Sequence, residues 1–231
     1  MARQRFDDLN DLAFEEQYVK SFNFEKYFEV MDISEEERAE RVKLARDFAK
    51  LMLFFFANLN LEAQSKEYQY AILEERCKAI AEGYVGKSDT AYLNDWARRI
   101  ATKTTDVTYD HLENPVDESK VFDFEEWDVK IPQNEYWTSP LRAFLIAGGM
   151  ASVIGEYSDL LEAVENGATT KTWHTERDKR VRPTHKEAEG QTVSIFEPFI
   201  VGGWELMFPG DATLGAPDEE LANCRCHASY A

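Results

Sequence analysis

Two cysteines close to the end of the chain carry the strongest chemical signal. Cys224 and Cys226 lie in the stretch ELANCRCHASYA, and thiolates are good ligands for zinc. In an extended chain, residues two apart project to the same side, so both sulfurs can converge on one point while Arg225 faces away. A structural zinc site is tetrahedral and needs two further ligands. We expect His185 to supply the third ligand. The candidates for the fourth are His227, His174 and Asp178.

The same two cysteines allow other interpretations. Free cysteines are often packed in a protein interior as small apolar side chains. A disulfide between Cys224 and Cys226 is the least favoured alternative, because its ring would be small and strained. The chain has three cysteines in all, which do not form a disulfide framework, so a reducing cytoplasm is the expected setting.

His185 also invites an enzymatic interpretation. It ends the stretch TERDKRVRPTH, and a histidine beside a phosphate-binding arginine such as Arg182 could serve an RNase-like centre. Asp178, Thr184 and Glu187 are the other polar residues close by. No motif places a second histidine or a nucleophile here, and the chain has no phosphate loop, HExxH motif, GxSxG elbow or dinucleotide fingerprint. We therefore expect a non-enzymatic protein in which His185 is a clasp, bonded to backbone or carboxylate, and RNase-like activity is the alternative.

Helices are predicted for most of the first 166 residues. Ser34 followed by Glu37 matches a capping box, and apolar residues at helical spacing predict a helix over 35–57. We predict three more helices. The first covers 61–81 and ends at Gly83 or Gly86, the second begins at Ser88 or Asp89, and the third runs from about 140 to Asn166-Gly167. Residues 113–140 are proline-rich and acidic, which favours an irregular connection or a short strand. Gly148 and Gly149 would let another element approach the last helix closely.

The chain changes character after Gly167. TTKTW, QTVSIFEPFIVGG and WELMFP are short β-prone pieces separated by Gly and Pro. The predicted fold class is α+β, with a mainly helical N-terminal domain followed by a small C-terminal α+β module with short antiparallel strands. The predicted divisions are an aromatic and acidic arm (1–32), a helical domain (33–166) and the C-terminal domain (167–231). The aromatic residues of the arm could dock on a partner, but we expect them to dock on the protein itself. They are Phe14, Phe22, Phe24 and Phe28.

The C-terminal motifs occur in a characteristic order. They are a Trp, then Thr-x-x-Asp-x-x-Val-Arg-x-x-His, a Gly turn, Pro-Gly-Asp and a closing Asn-Cys-Arg-Cys. This order resembles the C-terminal domain of the phage head morphogenesis family, the minor capsid proteins similar to protein F of phage Mu. The resemblance covers about residues 139–227. The matching residues are Trp173, Thr175, Asp178, Val181, Arg182, His185, Gly190, Pro209, Gly210, Asp211, Asn223, Cys224, Arg225 and Cys226.

Several of these residues have a structural interpretation of their own. Asp178 and Arg182 are spaced i, i+4, so on a helical turn they could pair or fix the chain that enters the turn at Pro183. Asn223 and the Pro-Gly-Asp sequence are turn formers, and Asp211 can bond its own downstream backbone. We expect these residues, with Trp173, to be structural.

The resemblance implies a virion-associated minor head protein that acts in procapsid assembly near the portal vertex. Its implied partners are the portal protein, a scaffold or a capsid protein, and it would be found in the virion and in the host cytoplasm during assembly. Whether the protein forms a homo-oligomer is left open. The alternatives from other classes are a nuclease or toxin-like effector built on the C-terminal module, and a zinc-stabilised adaptor protein.

The charge of the chain limits its other partners. A formal net charge of −18 disfavours adhesion of the whole surface to DNA, because phosphate binding depends on basic side chains. One basic cluster could still make a local contact with packaged DNA or with an acidic neighbour. Its members are Arg177, Lys179, Arg180, Arg182 and Lys186. The apolar run LMLFFFANLNL is shorter than the roughly 20 residues of a bilayer span, so a membrane partner is not expected.

Overall fold

The described part of the chain has the predicted α+β fold. The computed structural model describes residues 22–29, 31–59, 65–88, 90–114, 120–124 and 128–231. The helices in this part are α1 (Phe24–Glu29), α2 (Glu35–Ala57), α3 (Lys66–Val85), α4 (Ala91–Glu113), α5 (Gln133–Tyr136), α6 (Pro140–Glu165), α7 (Pro183–Ala188) and α8 (Asp218–Leu221). The strands are β1 (Val121–Phe124), β2 (Val129–Pro132), β3 (Thr170–His174), β4 (Thr192–Ser194), β5 (Phe199–Val201), β6 (Trp204–Leu206) and β7 (His227–Tyr230).

Local signals set the ends of the long helices. The hydroxyl of Ser34 accepts a hydrogen bond from the backbone nitrogen of Glu37 at 3.1 Å, which confirms the predicted cap of α2. Helix α3 ends at Gly86, whose φ of 71° lies in the left-handed region that favours glycine. Its predicted start at Leu61 lies outside the described residues. Helix α4 is capped by Thr90, slightly later than expected.

The strands of the described residues form three small antiparallel sheets. The segment predicted as an irregular connection or short strand contains the hairpin of β1 and β2. In the C-terminal part, β3 lies between β4 and β7, and β5 pairs with β6. The central strand β3 therefore joins the start of the C-terminal module to its last strand.

The main hydrophobic core includes the end of the predicted arm. Phe24 and Phe28 are fully buried, and the ring of Phe22 stacks on Phe144 of α6 with centroids 4.3 Å apart. These aromatic residues therefore dock on the protein itself, whereas Phe14 lies outside the described residues. The main core also contains Ile195 and Phe208, two residues from the C-terminal module.

A second, smaller core lies within the C-terminal module around Trp173, which is fully buried. Phe199, Leu206 and both site cysteines belong to it. Because Ile195 and Phe208 pack in the main core instead, the C-terminal module is attached to the helices through shared apolar contacts.

Helix α6 is the central helix of the main core. It is the one helix in the described part of the chain that is long and apolar enough to cross a membrane, and most of its apolar stretch is buried inside the protein. Its buried face packs on α1 and α2, which accounts for its composition. At Gly148, an added Cβ atom would lie 2.7 Å from the ring of Tyr27, whereas at Gly149 it would meet nothing within 4 Å.

The two adjacent glycines of α6 give the first prediction. We expect Gly148→Ala to lower the free energy of unfolding by about 1–3 kcal/mol, because the added methyl group must displace the buried ring of Tyr27. Gly149→Ala is the matched control and should raise it by about 0.5–1 kcal/mol, since alanine favours a helix interior. Urea denaturation measures both values. Equal effects of the two substitutions would contradict the close approach of Tyr27.

A buried ionic cluster fastens α2, α6 and the last strand together. The guanidinium of Arg41 in α2 donates to Glu156 at 3.0 Å, to Asp159 at 2.5 Å and to Glu37 at 2.8 Å. The second carboxylate oxygen of Glu156 accepts a hydrogen bond from the backbone nitrogen of Ala228 in β7 at 3.0 Å. Three carboxyl groups thus surround one guanidinium. Burial raises the pKa of Glu156, and it raises the pKa of Asp159 to about 8, although Arg41 opposes both changes.

Candidate metal centre

Three residues from two segments of the C-terminal module form the candidate site. His185 lies in α7, which begins at Pro183, a residue well suited to a first helical turn. Cys224 and Cys226 lie in the chain that leads into β7. Asn223 has a φ of 54°, in the left-handed region, and this turn directs the chain into the cysteines. The cysteines are thus placed by a turn and a strand start rather than by a strand of their own.

The ligand atoms of the triad lie close together. Nδ1 of His185 is 3.4 Å from Sγ of Cys226 and 3.6 Å from Sγ of Cys224. All three ligand atoms lie within 4.8 Å of one another, and all three residues are buried. Both cysteines are free thiols. The predicted convergence of these three residues is therefore confirmed, and the triad can hold a metal ion.

The other ring nitrogen of His185 faces a carboxylate. Nε2 lies 3.1 Å from Oε2 of Glu220, in α8, and the same oxygen accepts a hydrogen bond from the hydroxyl of Thr184 at 2.8 Å. A carboxylate at Nε2 holds the ring proton there and leaves the lone pair of Nδ1 for an ion. Glu220 was not predicted from the sequence, because it lies in the acidic run PDEE with no spacing that relates it to His185.

Without an ion, the triad favours one thiolate. The hydrogen bond from Cys226 and the contact with His185 lower the pKa of the Cys224 thiol well below its ordinary value, although burial opposes this. The pKa of Cys226 is raised, because its thiol donates to Cys224 and is buried. Burial is the largest single influence and lowers the pKa of His185, but the hydrogen bond and the charge of Cys224, together with the charge of Glu220, raise this pKa above its ordinary value. A metal ion binds thiolates and a neutral imidazole, so an ion that enters the triad displaces protons from these residues.

The expected fourth ligands lie outside the triad. None of His174, His227 and Asp178 belongs to the group of ligand atoms within 4.8 Å in the described part of the chain. Nε2 of His174 is 2.7 Å from the hydroxyl of Ser229, and its ring stacks on His227. Asp178 accepts hydrogen bonds from Arg225 at 3.0 Å and from the backbone nitrogen of Arg180 at 2.8 Å. None of the three is positioned as a ligand.

Of the two alternatives for Asp178 and Arg182, pairing with each other does not occur. Residues 178–181 form a turn rather than a helical turn, so the two side chains separate. Asp178 pairs with Arg225 instead. Arg182 donates to the backbone oxygen of Ala222 and so fastens the start of α7 to the turn that presents the cysteines.

The remaining motif residues make contacts within the C-terminal module. The ring of Trp173 lies edge-on to His185, with centroids 5.6 Å apart, and supports the imidazole. Asp211 is fully buried and accepts from the backbone nitrogens of Thr213 at 2.9 Å and of Met207 at 3.0 Å. It therefore bonds its downstream backbone, as predicted for this turn.

The space beside the triad is narrow. A cavity of about 20 Å³ is lined by Glu176, Arg180, Val181, Arg182, His185, Asn223, Cys224, Arg225 and Cys226. This volume has room for an ion or a single water molecule. Two members of the basic cluster beside it are bound to carboxylates of the module, because Arg177 pairs with Glu189 and Arg180 with Asp178.

The fold and the site thus define an α+β protein with a buried His-Cys-Cys triad. A scan against protein-family models and searches of curated proteins and of solved structures find no match to the chain. The function is therefore inferred from the geometry of the described residues and from the motifs of the C-terminal module.

Proposed function

We propose that the protein is a minor capsid, or head morphogenesis, protein of a bacteriophage, with a structural role in assembly near the portal and a zinc ion that stabilises its C-terminal module. One observation carries the proposal. The motif residues that resemble the phage family are buried against one another or bound to one another: Trp173 supports His185, Asp178 binds Arg225, and His185 meets both cysteines. Such an interlocked set suits a module that must keep its shape.

Zinc is the ion that suits this triad. With typical distances of about 2.3 Å to sulfur and about 2.0–2.1 Å to nitrogen, a tetrahedral zinc ion places the sulfur and nitrogen atoms about 3.6 Å apart. The separations of 3.4 and 3.6 Å between Nδ1 of His185 and the two sulfurs match this value. Glu220 supplies the outer carboxylate that commonly orients a zinc-binding histidine.

The narrow site favours a structural role over catalysis. The side chain of His185 is 2% exposed, and the cavity of about 20 Å³ beside it is smaller than a nucleotide. A nuclease must bring its acid and base within hydrogen-bonding distance of a phosphodiester. The arrangement around His185 therefore favours the clasp over the RNase-like centre.

The first test of the proposal is association with the portal. Phe24 and Phe28 are core residues, so a deletion of the whole arm (1–32) would damage the fold. We assign the contact with the portal to the rest of the arm and therefore delete residues 1–21 instead. When the full chain is co-expressed with the portal protein of the same genome, we expect the two to co-purify, and the deletion variant to lose at least about 90% of the bound portal, a loss equivalent to about 1.4 kcal/mol.

The control variant for this experiment is Cys224→Ser, which alters the site and leaves the N-terminal residues intact. It should retain the portal if the arm makes the contact. Absence of association by the full chain contradicts the proposed role, whereas retention by the deletion variant contradicts only the assignment of the contact to residues 1–21.

The nuclease alternative has its own assay. We expect no cleavage when the purified full chain is incubated with RNA and with single-stranded DNA. Cleavage by the unaltered protein that disappears in His185→Ala would overturn the structural proposal in favour of an effector.

A further inference from the structure

We propose that Glu176 is the fourth ligand of the metal centre and completes a Cys-Cys-His-Glu set. This inference rests on the zinc site of the proposed function and adds a ligand that the motif shared with the phage family does not contain. Carboxylate oxygens bind zinc at about 2.0–2.2 Å, together with sulfur and nitrogen ligands.

The first observation is a buried carboxylate beside the triad. The side chain of Glu176 is 6% exposed, and its Oε1 atom accepts no hydrogen bond from the described residues. Glu176 lines the same small cavity as His185, Cys224 and Cys226, but its oxygens lie outside the group of triad atoms within 4.8 Å of one another, so its carboxylate must move toward an ion to bind it. A buried carboxylate needs a counter-ion or hydrogen bonds to remain charged, and a metal ion in this cavity supplies the positive charge.

The second observation is the way in which the neighbours of Glu176 are held. Thr175 donates to Oε2 of Glu189 at 2.6 Å through both its backbone nitrogen and its hydroxyl. Arg177 donates to Oε1 of the same carboxylate at 2.7 Å. The residues on both sides of Glu176 are therefore tied to Glu189, which is not among the residues that line the cavity.

Two non-glycine residues beside the proposed ligands have a left-handed backbone. Arg177 has a φ of 52°, which is uncommon for such a residue, and Asn223 has a φ of 54°, which asparagine tolerates. One directly follows Glu176 and the other directly precedes Cys224. Backbone strain such as that at Arg177 persists where the surrounding structure holds residues in place, and it is concentrated at functional sites. Both turns present a proposed ligand to one cavity.

The competing ligands are engaged elsewhere. Asp178 is bonded to Arg225 and to the backbone, and His174 to Ser229. The Nδ1 atom of His227 lies 3.8 Å from Oε1 of the Glu176 carboxylate. Ligating carboxylates usually have such an outer partner, so His227 is suited to orient Glu176 rather than to replace it.

The test measures metal binding by the full chain. After removal of metal, Zn²⁺ is titrated against a chromophoric chelator, and Co²⁺ is added separately as a spectroscopic probe. We expect one ion per chain and a tetrahedral Co²⁺ spectrum with thiolate charge-transfer absorption. Glu176→Ala should weaken Zn²⁺ binding by at least about tenfold and change the Co²⁺ spectrum, because removal of residues around a metal commonly costs about 10–100-fold in affinity.

Two further variants separate ligation from a merely structural role. Glu176→Cys should restore the Zn²⁺ affinity and raise the thiolate charge-transfer absorption of Co²⁺ about 1.5-fold, since three thiolates replace two. Glu187→Gln, at an exposed position of α7, is the matched control and should leave both measurements unchanged.

The outcomes distinguish this inference from the proposed function. If the unaltered chain binds neither ion, the zinc site and the fourth ligand both fail. If the unaltered chain binds Zn²⁺ and Cys224→Ser does not, while Glu176→Ala keeps the original affinity and spectrum, the zinc site stands and water or another residue is the fourth ligand. A Glu176→Cys protein without increased charge-transfer absorption also overturns the inference.

Discussion

Replacement of Arg41 by methionine is expected to lower the free energy of unfolding by about 3–5 kcal/mol. The side chain of Arg41 is 1% exposed and is the common partner of Glu37, Glu156 and Asp159. Without it, the equally buried carboxyl group of Glu156 loses its positive partner. The free energy is measured by urea denaturation followed by tryptophan fluorescence.

Two comparisons isolate the cause of this loss. Arg46→Met removes an exposed partner of Glu25 and should change stability by less than about 1 kcal/mol. In Arg41→Met combined with Glu156→Gln, the buried carboxylate is neutralised as well, so part of the lost stability should return.

The pH dependence of the Arg41→Met effect provides a further check. Removal of the cation makes the carboxylates harder to ionise, and in the unaltered protein burial already raises the pKa of Asp159 to about 8. Protonated carboxyl groups need no positive partner. The difference between the variant and the unaltered protein should therefore shrink as the pH is lowered from 8 to 5. A loss below about 1 kcal/mol at pH 8 would show that the cluster does not hold α2, α6 and β7 together.

Replacement of Cys224 by serine is expected to abolish stabilisation of the C-terminal module by zinc. An ion that binds only the folded state at a free concentration of a thousand times its dissociation constant adds about 4 kcal/mol to stability. The unaltered protein should lose this amount when a chelator is added, whereas Cys224→Ser should have the low stability with or without chelator. Urea denaturation in zinc-buffered and chelator-containing solutions measures both.

Cys77 is the matched control for this experiment. It is the third free cysteine, fully buried in α3 and outside the triad. Cys77→Ala removes a buried thiol and should retain the full response to zinc. If chelator does not alter the stability of the unaltered protein, or if Cys224→Ser responds to zinc as the unaltered protein does, the triad does not hold a stabilising ion.

Local signals account for the parts of the fold that could be predicted. The cap at Ser34, the glycine end of α3 at Gly86 and the β-prone pieces after Gly167 all act over a few residues, and each occurs where the sequence indicates. The convergence of Cys224 and Cys226 was also predictable, because the spacing of two residues in an extended chain is a local property.

Prediction failed where a contact joins distant parts of the chain. Asp178 and Arg182 have a spacing that suits a helix, but the chain forms a turn there, and Asp178 pairs instead with Arg225, 47 residues away. Glu220 and Glu176 belong to no recognisable motif. Their positions beside His185 and the cysteines follow only from the packing of α8, which contains Glu220, and of the segment after β3, which contains Glu176.

The sequence by itself therefore determined the α+β class, the long helices and the three residues of the triad, because periodicity, caps and spacing are encoded over short stretches. The tertiary structure decided which carboxylates face the triad, and it revealed the cluster in which Arg41 meets Glu156, 115 residues away. Such pairs depend on burial and on the packing of whole helices, since a buried charge is tolerated only where distant elements bring it a partner.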